Sequence, residues 1–197
     1  MRSERLQAFT DGVVAVIITI MVLEMHPPEA VTPQALLALW PVFLSYILSF
    51  IYVGIYWNNH HHFAHLIHEV TGGILWANLG LLFFLSLIPF TTAWAGEHGF
   101  APLPTALYGV SLLMTALAWS VLQFTIMRAQ GRESALKQAL GADWKGKISS
   151  VLYLAGIGLA FVAPAVSYVM YAAVAALWIV PDRRIERFLK ELARTKG

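Results

Sequence analysis

ISSVLYLAGIGLAFVAPAVSYVMYAAVAALWIV, residues 148–180, is almost uninterrupted apolar sequence. How this run is divided decides how many times the chain crosses a bilayer. As one helix it would be about 50 Å long at a rise of 1.5 Å per residue, far beyond a hydrocarbon core of about 30 Å. Pro164 stands in its middle, with no backbone N–H and a ring that clashes with the preceding turn, so it marks the break. Two short spans, roughly 148–162 and 165–180, fit the bilayer, each near the low end of spanning length.

The same criterion, about 20 mostly apolar residues per crossing, finds four more spans upstream. They cover roughly 5–25, 35–57, 71–95 and 103–127. His26-Pro27-Pro28 stops the first, a polar stretch from Asn58 to Glu69 follows the second, and Gly96 to Pro104 loops after the third. Pro104 is placed to open the fourth helix, and a polar segment from Arg128 to Lys147 follows it. Composition agrees: of 197 residues 58% are hydrophobic and 12% charged, with a mean hydropathy of +0.66. A soluble domain carries about 25% charged residues, and half that number cannot coat a globule. The expected fold is therefore an all-α membrane protein, one subunit over residues 1–197 with six transmembrane helices. Residues 181–197, with Ile185, Phe188, Leu189 and Leu192 among basic residues, read as a basic amphipathic tail on the inner leaflet.

Lysine and arginine orient these spans. The segments 26–34 and 96–102 and the turn near Pro164 contain neither residue. All thirteen lie on the other side: Arg2 and Arg5; Arg128, Arg132, Lys137, Lys145 and Lys147; and Arg183, Arg184, Arg187, Lys190, Arg194 and Lys196. The positive-inside rule puts that side, with both ends of the chain, in the cytoplasm. An odd number of spans would strand the basic tail outside. Asp11 within the first span, and the lack of a small-residue cleavage site before Pro27, argue against a cleaved signal peptide. The chain has no cysteine, which removes disulfides and thiolate metal sites. Basic residues confined to the ends of apolar runs do not resemble a nucleic-acid footprint.

Three clusters are candidates for function. Arg5 and Asp11 open the first span, and charges in a membrane helix need partners. They read either as a helix clamp or, for Asp11, as an ion ligand. Phe9, Gly12, Val16, Ile20 and Leu23 recur every three or four residues and share one helix face. Periodicity alone assigns such a stripe to lipid or to a packed neighbour. Thr19 lies at its edge, Glu24 at its far end, and Asp11 points away from it. Trp57-Asn-Asn-His-His-His-Phe63 is followed by His65 and His68; His61, His65 and His68 have a spacing that can bind metal. A membrane di-iron enzyme needs several such boxes, so a polar network at the helix end is preferred and no metal site is expected. The sequence lacks a Thr-Val-Gly-Tyr-Gly filter, a nucleotide loop, a Gly-x-Ser-x-Gly elbow and an HExxH motif. An enzyme is not expected.

Arg5-x-x-x-Phe9-Thr10-Asp11-Gly12-Val13-Val14-Ala15, with Thr19 and Leu23-Glu24, resembles the first helix of the transmembrane protein 175 family, whose animal members are lysosomal potassium channels. The likeness extends to Trp57-x-x-His60-His61-x-Phe63, Asn78 and Pro89-Phe90; the last three spans match only in topology. It implies a homotetramer in a bacterial inner membrane around one pore lined by the first helix. It also implies a hydrophobic constriction in place of a carbonyl filter, and no cofactor beyond the permeant potassium. Counted from Asp11, that constriction falls on Val16, with Ile20 and Leu23 as further rings and Thr19 and Glu24 beside them. Family members usually carry isoleucine or leucine where Val16 stands, which puts selectivity over sodium in question. Arg5, Phe9, Thr10, Asp11, Trp57, His60 and His61 form the signature network. The function implied is passive conduction of monovalent cations, with a poorly selective cation or proton leak as the alternative. A secondary transporter would need a midplane polar site, for which only Asn78 and scattered hydroxyls are available.

The one-sided basic residues make a direct prediction in a chain with no native cysteine. His98→Cys should react with an impermeant thiol reagent outside intact cells, and Gln130→Cys should not. The reverse labelling pattern would overturn the six-span arrangement.

Overall fold

The structure is a computed structural model that describes residues 3–64, 67, 69–131 and 143–179. Regular structure within them is helical: α1 (Ser3–Leu23), α2 (Pro33–Ala38), α3 (Trp40–Ala64), α4 (Gly72–Ser86), α5 (Ile88–Glu97), α6 (Pro102–Gln130), α7 (Trp144–Leu159) and α8 (Pro164–Ile179). The tail at 181–197, Arg2, His65, His68, Arg132 and Lys137 lie outside the described residues. Four helical stretches are long and apolar enough to cross a membrane: α1, α3, α4 with α5 taken together, and α6. The α8 helix is apolar but shorter. The protein is thus a multi-pass membrane protein.

Local chemistry explains the helix ends. Pro33 opens α2 behind Thr32, whose hydroxyl accepts the Ala35 N–H at 3.2 Å. The helix breaks at Leu39 and restarts at Trp40, so residues 35–57 do not form one continuous rod. In turn α3 runs to Ala64 and carries Asn58 to His62 as helix, because several of these polar side chains find partners on neighbouring helices. Pro89, which has no backbone N–H, divides α4 from α5 at Leu87, and the Thr91 hydroxyl donates to the Leu87 or Ile88 carbonyl, each 3.2 Å away, in the first turn of α5. The apolar run from 148 to 180 is parted at residues 160–163, directly before Pro164. Asp143 caps α7 by accepting the Gly146 N–H at 3.0 Å, which starts this helix at Trp144. Between α5 and α6, Phe100 takes a left-handed φ of 62°. Its ring lies 4.3 Å from Tyr168 and 5.4 Å from Trp40, and that packing holds the turn.

Lipid tails are as apolar as leucine, so helices in a bilayer are joined by close packing and hydrogen bonds. Tyrosines supply both. Tyr52 of α3, Tyr108 of α6, Tyr153 of α7 and Tyr171 of α8 are all fully buried and meet ring to ring. The Tyr52 hydroxyl donates to the Tyr171 carbonyl, and the Tyr108 hydroxyl pairs with Ser49, which also meets Thr92 at 2.6 Å. Glycines let the backbones approach. A Cβ on Gly96 of α5 would lie 2.8 Å from the Cα of Val42 on α3. That neighbour is backbone and cannot move aside alone.

Gly96→Ala should therefore cost about 1–3 kcal/mol through overpacking and lower the melting temperature of the purified protein. Gly158→Ala, which meets open space, should leave it unchanged or slightly raised. Equal melting temperatures for Gly96→Ala and the parent would contradict the close approach of α3 and α5.

Candidate functional site

The first helix has two unlike faces. Leu6, Thr10, Val14, Ile17 and Met21 recur every three or four residues and are buried against α3, α4 and α5. The opposite face carries Phe9, Gly12, Val16, Ile20 and Leu23, and all five are exposed in the single subunit. Val16 is 56% exposed, Ile20 40% and Leu23 70%, so this stripe is turned away from its own subunit. Thr19 and Glu24 are exposed with it. The Thr19 hydroxyl donates to the Ala15 carbonyl at 2.9 Å, within its own helix. An apolar face of this length must meet lipid, another subunit or a lumen.

The buried face is held by polar side chains. Asn78 of α4 donates its amide N–H to the Thr10 hydroxyl of α1 at 3.0 Å. Its carbonyl oxygen lies 2.9 Å from His60 Nε2 of α3, so that nitrogen carries the proton. Three helices meet at this one amide, and Thr10, Asn78 and His60 are each at most 3% exposed. His60 Nδ1 has no hydrogen-bond partner among the described residues. One residue further round α1, the Trp57 indole N–H donates to the Asp11 carboxylate at 2.9 Å. Gln7, one turn before Asp11, pairs with His61, whose ring lies 6.5 Å from that of Trp57. Asp11, Thr10, Trp57, His60 and His61 are thus brought together. Phe9 lies on the exposed face, and Arg5 is exposed with no side-chain partner among the described residues.

Sequence reading passed over Gln7 and gave Asn78 no central place. The signal was there: Gln7, Thr10 and Asp11 fall at i, i+3 and i+4, which puts three polar groups on one side of an otherwise apolar span. It also passed over the Ser49, Thr92 and Tyr108 network, because isolated hydroxyls in separate spans carry no pairing information. Among the described residues no group of three histidine, aspartate or glutamate side chains is set to hold a metal ion.

Comparison with known proteins places the chain among channels. The sequence profile described as "Endosomal/lysosomal potassium channel TMEM175" matches residues 5–89, the segment that contains α1, α3 and α4. A potassium channel of Chryseobacterium sp. (strain P1-3) is 50% identical over 97% of this chain and 100% of its own length. A potassium channel of Streptomyces collinus is 30% identical over 81% of this chain and 83% of its own. The crystal structure of a lysosomal potassium-selective channel TMEM175 homolog from Chamaesiphon minutus superposes with a TM-score of 0.79 at 25% identity, covering 91% of this chain and 97% of that one. The family and these relatives are ion channels, not enzymes. The chain belongs to the TMEM175 family of endosomal/lysosomal potassium channels.

Proposed function

We propose that four copies of this subunit, each crossing the bilayer six times, form a potassium-permeable channel in a bacterial inner membrane, with α1 of each copy facing a central pore. Both ends of the sequence lie in the cytoplasm in this arrangement, as the placement of lysine and arginine favours. The observation that carries the reading is the exposure of Phe9, Gly12, Val16, Ile20 and Leu23 on a helix whose other face is tied down by Thr10 and Asp11. The membership in a potassium-channel family supports it.

Val16, Ile20 and Leu23 would stand at three levels about 6 and 4.5 Å apart along the pore, from the helical rise. Four apolar side chains at one level offer an ion nothing in exchange for its water shell, so a tight ring excludes ions and gates by dewetting. When the helices splay, a partly hydrated cation passes, and potassium sheds water at lower cost than sodium. Conduction is passive, with no carbonyl filter. Thr19, whose hydroxyl is engaged with Ala15, offers oxygen lone pairs between the apolar levels, and Glu24 places negative charge at the outer end. The second reading, a poorly selective cation or proton leak, is favoured by one feature: valine at position 16 makes a wider ring than isoleucine or leucine.

Bilayer recordings of the purified protein with ion substitution test the pore. Val16→Ala and Val16→Asn should pass more current and admit more sodium relative to potassium, and Val16→Leu should do the opposite. If all three leave conductance and reversal potential at the parent values, the stripe faces lipid.

The anchors should govern assembly rather than permeation. Asp11→Ala removes an acceptor from Trp57, and hydrogen bonds to a charged group contribute about 1.5–3 kcal/mol. Size-exclusion chromatography should show loss of assembled oligomer, and the surviving channels should keep the parent ion preference. Well-assembled Asp11→Ala channels with altered permeability would move the aspartate into the ion path.

A further inference from the structure

At the end of the bundle where α1 finishes, α2 and the start of α3 enclose an open hollow of about 490 Å³, lined by Leu36, Leu37, Trp40, Phe43, Leu44 and Ile47. All six side chains are apolar, and each is at least 40% exposed in the single subunit. The α2 helix has six residues and buries none of them, whereas so short a helix keeps its shape in a protein by packing against a neighbour. We propose that the hollow receives the Phe90–Trp94 ridge of α5 from the adjoining copy of the chain. This contact rests on the proposed ring of subunits around α1, and it is what closes that ring.

Position beside α1 selects a second copy over lipid. The hollow continues down α3 as one exposed face, through Phe50 to Trp57, whose indole holds Asp11 of α1. On α5, Phe90 is exposed and its ring stacks on Trp94 at 6.2 Å, which makes an aromatic ridge. Both α3 and α5 pack on α1, so both faces border the stripe that the ring encloses. Surfaces beside the pore stripe of a closed ring turn toward the neighbouring copies. Two unlike surfaces, one hollow and one ridged, give the head-to-tail contact that rotation closes. The exposed Val151 and Leu154 of α7 and Val169 of α8 belong to helices that pack on α3 and α6, and these remain for lipid.

Depth agrees. A rotation axis along the bilayer normal sets each residue of the neighbouring copy at the depth it has in this one. Within the subunit, a Cβ on Gly96 would touch Val42, and Thr92 bonds Ser49. These two pairs are therefore level, with α3 and α5 running in opposite directions. Trp94 falls midway between Gly96 and Thr92, level with Leu44 to Ile47. Phe90 lies about 3 Å below Thr92 by the helical rise, level with Phe50 and Ile51. The ridge thus meets the lower half of the hollow and its continuation on α3. Aromatic rings bury a large area there, and close packing is what joins helices in lipid.

Disulfide trapping between two tagged versions of the chain tests the contact, since the sequence has no native cysteine. Ile47→Cys under one tag is co-expressed with Trp94→Cys under another and oxidised in membranes, and Phe50→Cys with Phe90→Cys forms a second pair. A disulfide needs Cα atoms about 4.4–6.8 Å apart, so only neighbouring copies in this register bond. At least one mixed pair should give a cross-linked dimer carrying both tags. Each variant expressed alone should stay uncross-linked, because a head-to-tail contact never brings a residue to its own counterpart. Leu154→Cys with Phe90→Cys should not bond either. Mass photometry of the parent separates the two ways to fail. A parent that exists only as a lone subunit refutes the ring, and this contact with it. A tetramer in which neither mixed pair bonds, or in which single variants bond to themselves, leaves the ring standing and overturns this contact, with lipid or another face in its place. Phe90→Ala gives a reading without oxidation: the concentration at which the tetramer dissociates should rise about tenfold, and Leu154→Ala should leave it unchanged. Equal dissociation of the two variants would also overturn the contact.

Discussion

A buried amide in a bilayer has no water to turn to, and an unmet donor or acceptor there costs several kcal/mol. Asn78 meets that constraint by joining Thr10 of α1 and His60 of α3, so three helices share one set of hydrogen bonds. The rotation of α1 follows from it. Consecutive helical residues are about 100° apart, so a turn of one residue would withdraw Thr10 from Asn78 and Asp11 from Trp57 together. With the helix held in that setting, the stripe from Phe9 to Leu23 points away from the subunit. Polar anchoring behind and apolar exposure in front are two results of one orientation.

The rest of the bundle supports this joint by packing. Where burial of apolar surface brings no gain between helices, contact must come from closeness and from polar pairs. Gly96 lets α5 lie against α3, and Gly109 and Gly156 make room for the Tyr171 ring. The tyrosines then link α3, α6, α7 and α8 with ring contacts and with hydroxyls turned to Ser49 or to backbone carbonyls. Thus α3 sits between two unlike neighbours: a polar seam with α1 and α4 on one side, an aromatic core on the other.

That position is visible residue by residue at the C-terminal end of α3. Its residues alternate in allegiance over one turn and a half. Tyr56 meets Trp119 of α6, while Trp57, His60 and His61 face α1 and α4.

Much of this was legible in the amino-acid order. Length, apolar runs and proline positions determine where helices can form, because a bilayer admits only segments that satisfy their own backbone. Pro164 marks a real interruption, whereas the break before Pro89 divides what the sequence presents as one span, and the three-four spacing of Phe9, Gly12, Val16, Ile20 and Leu23 puts them on one face whatever surrounds them. The motif around Asp11 was specific enough to name the family. Partnership was not legible. Nothing in the order of residues says that Asn78 would reach both Thr10 and His60, that Gln7 would meet His61, or that Arg5 would be left exposed. Nor does it say that tyrosines from four separate helices would converge. Periodicity is a property of one helix and is set by local geometry, whereas hydrogen-bond partners and cavities depend on the relative placement of several helices, which only the packed bundle decides.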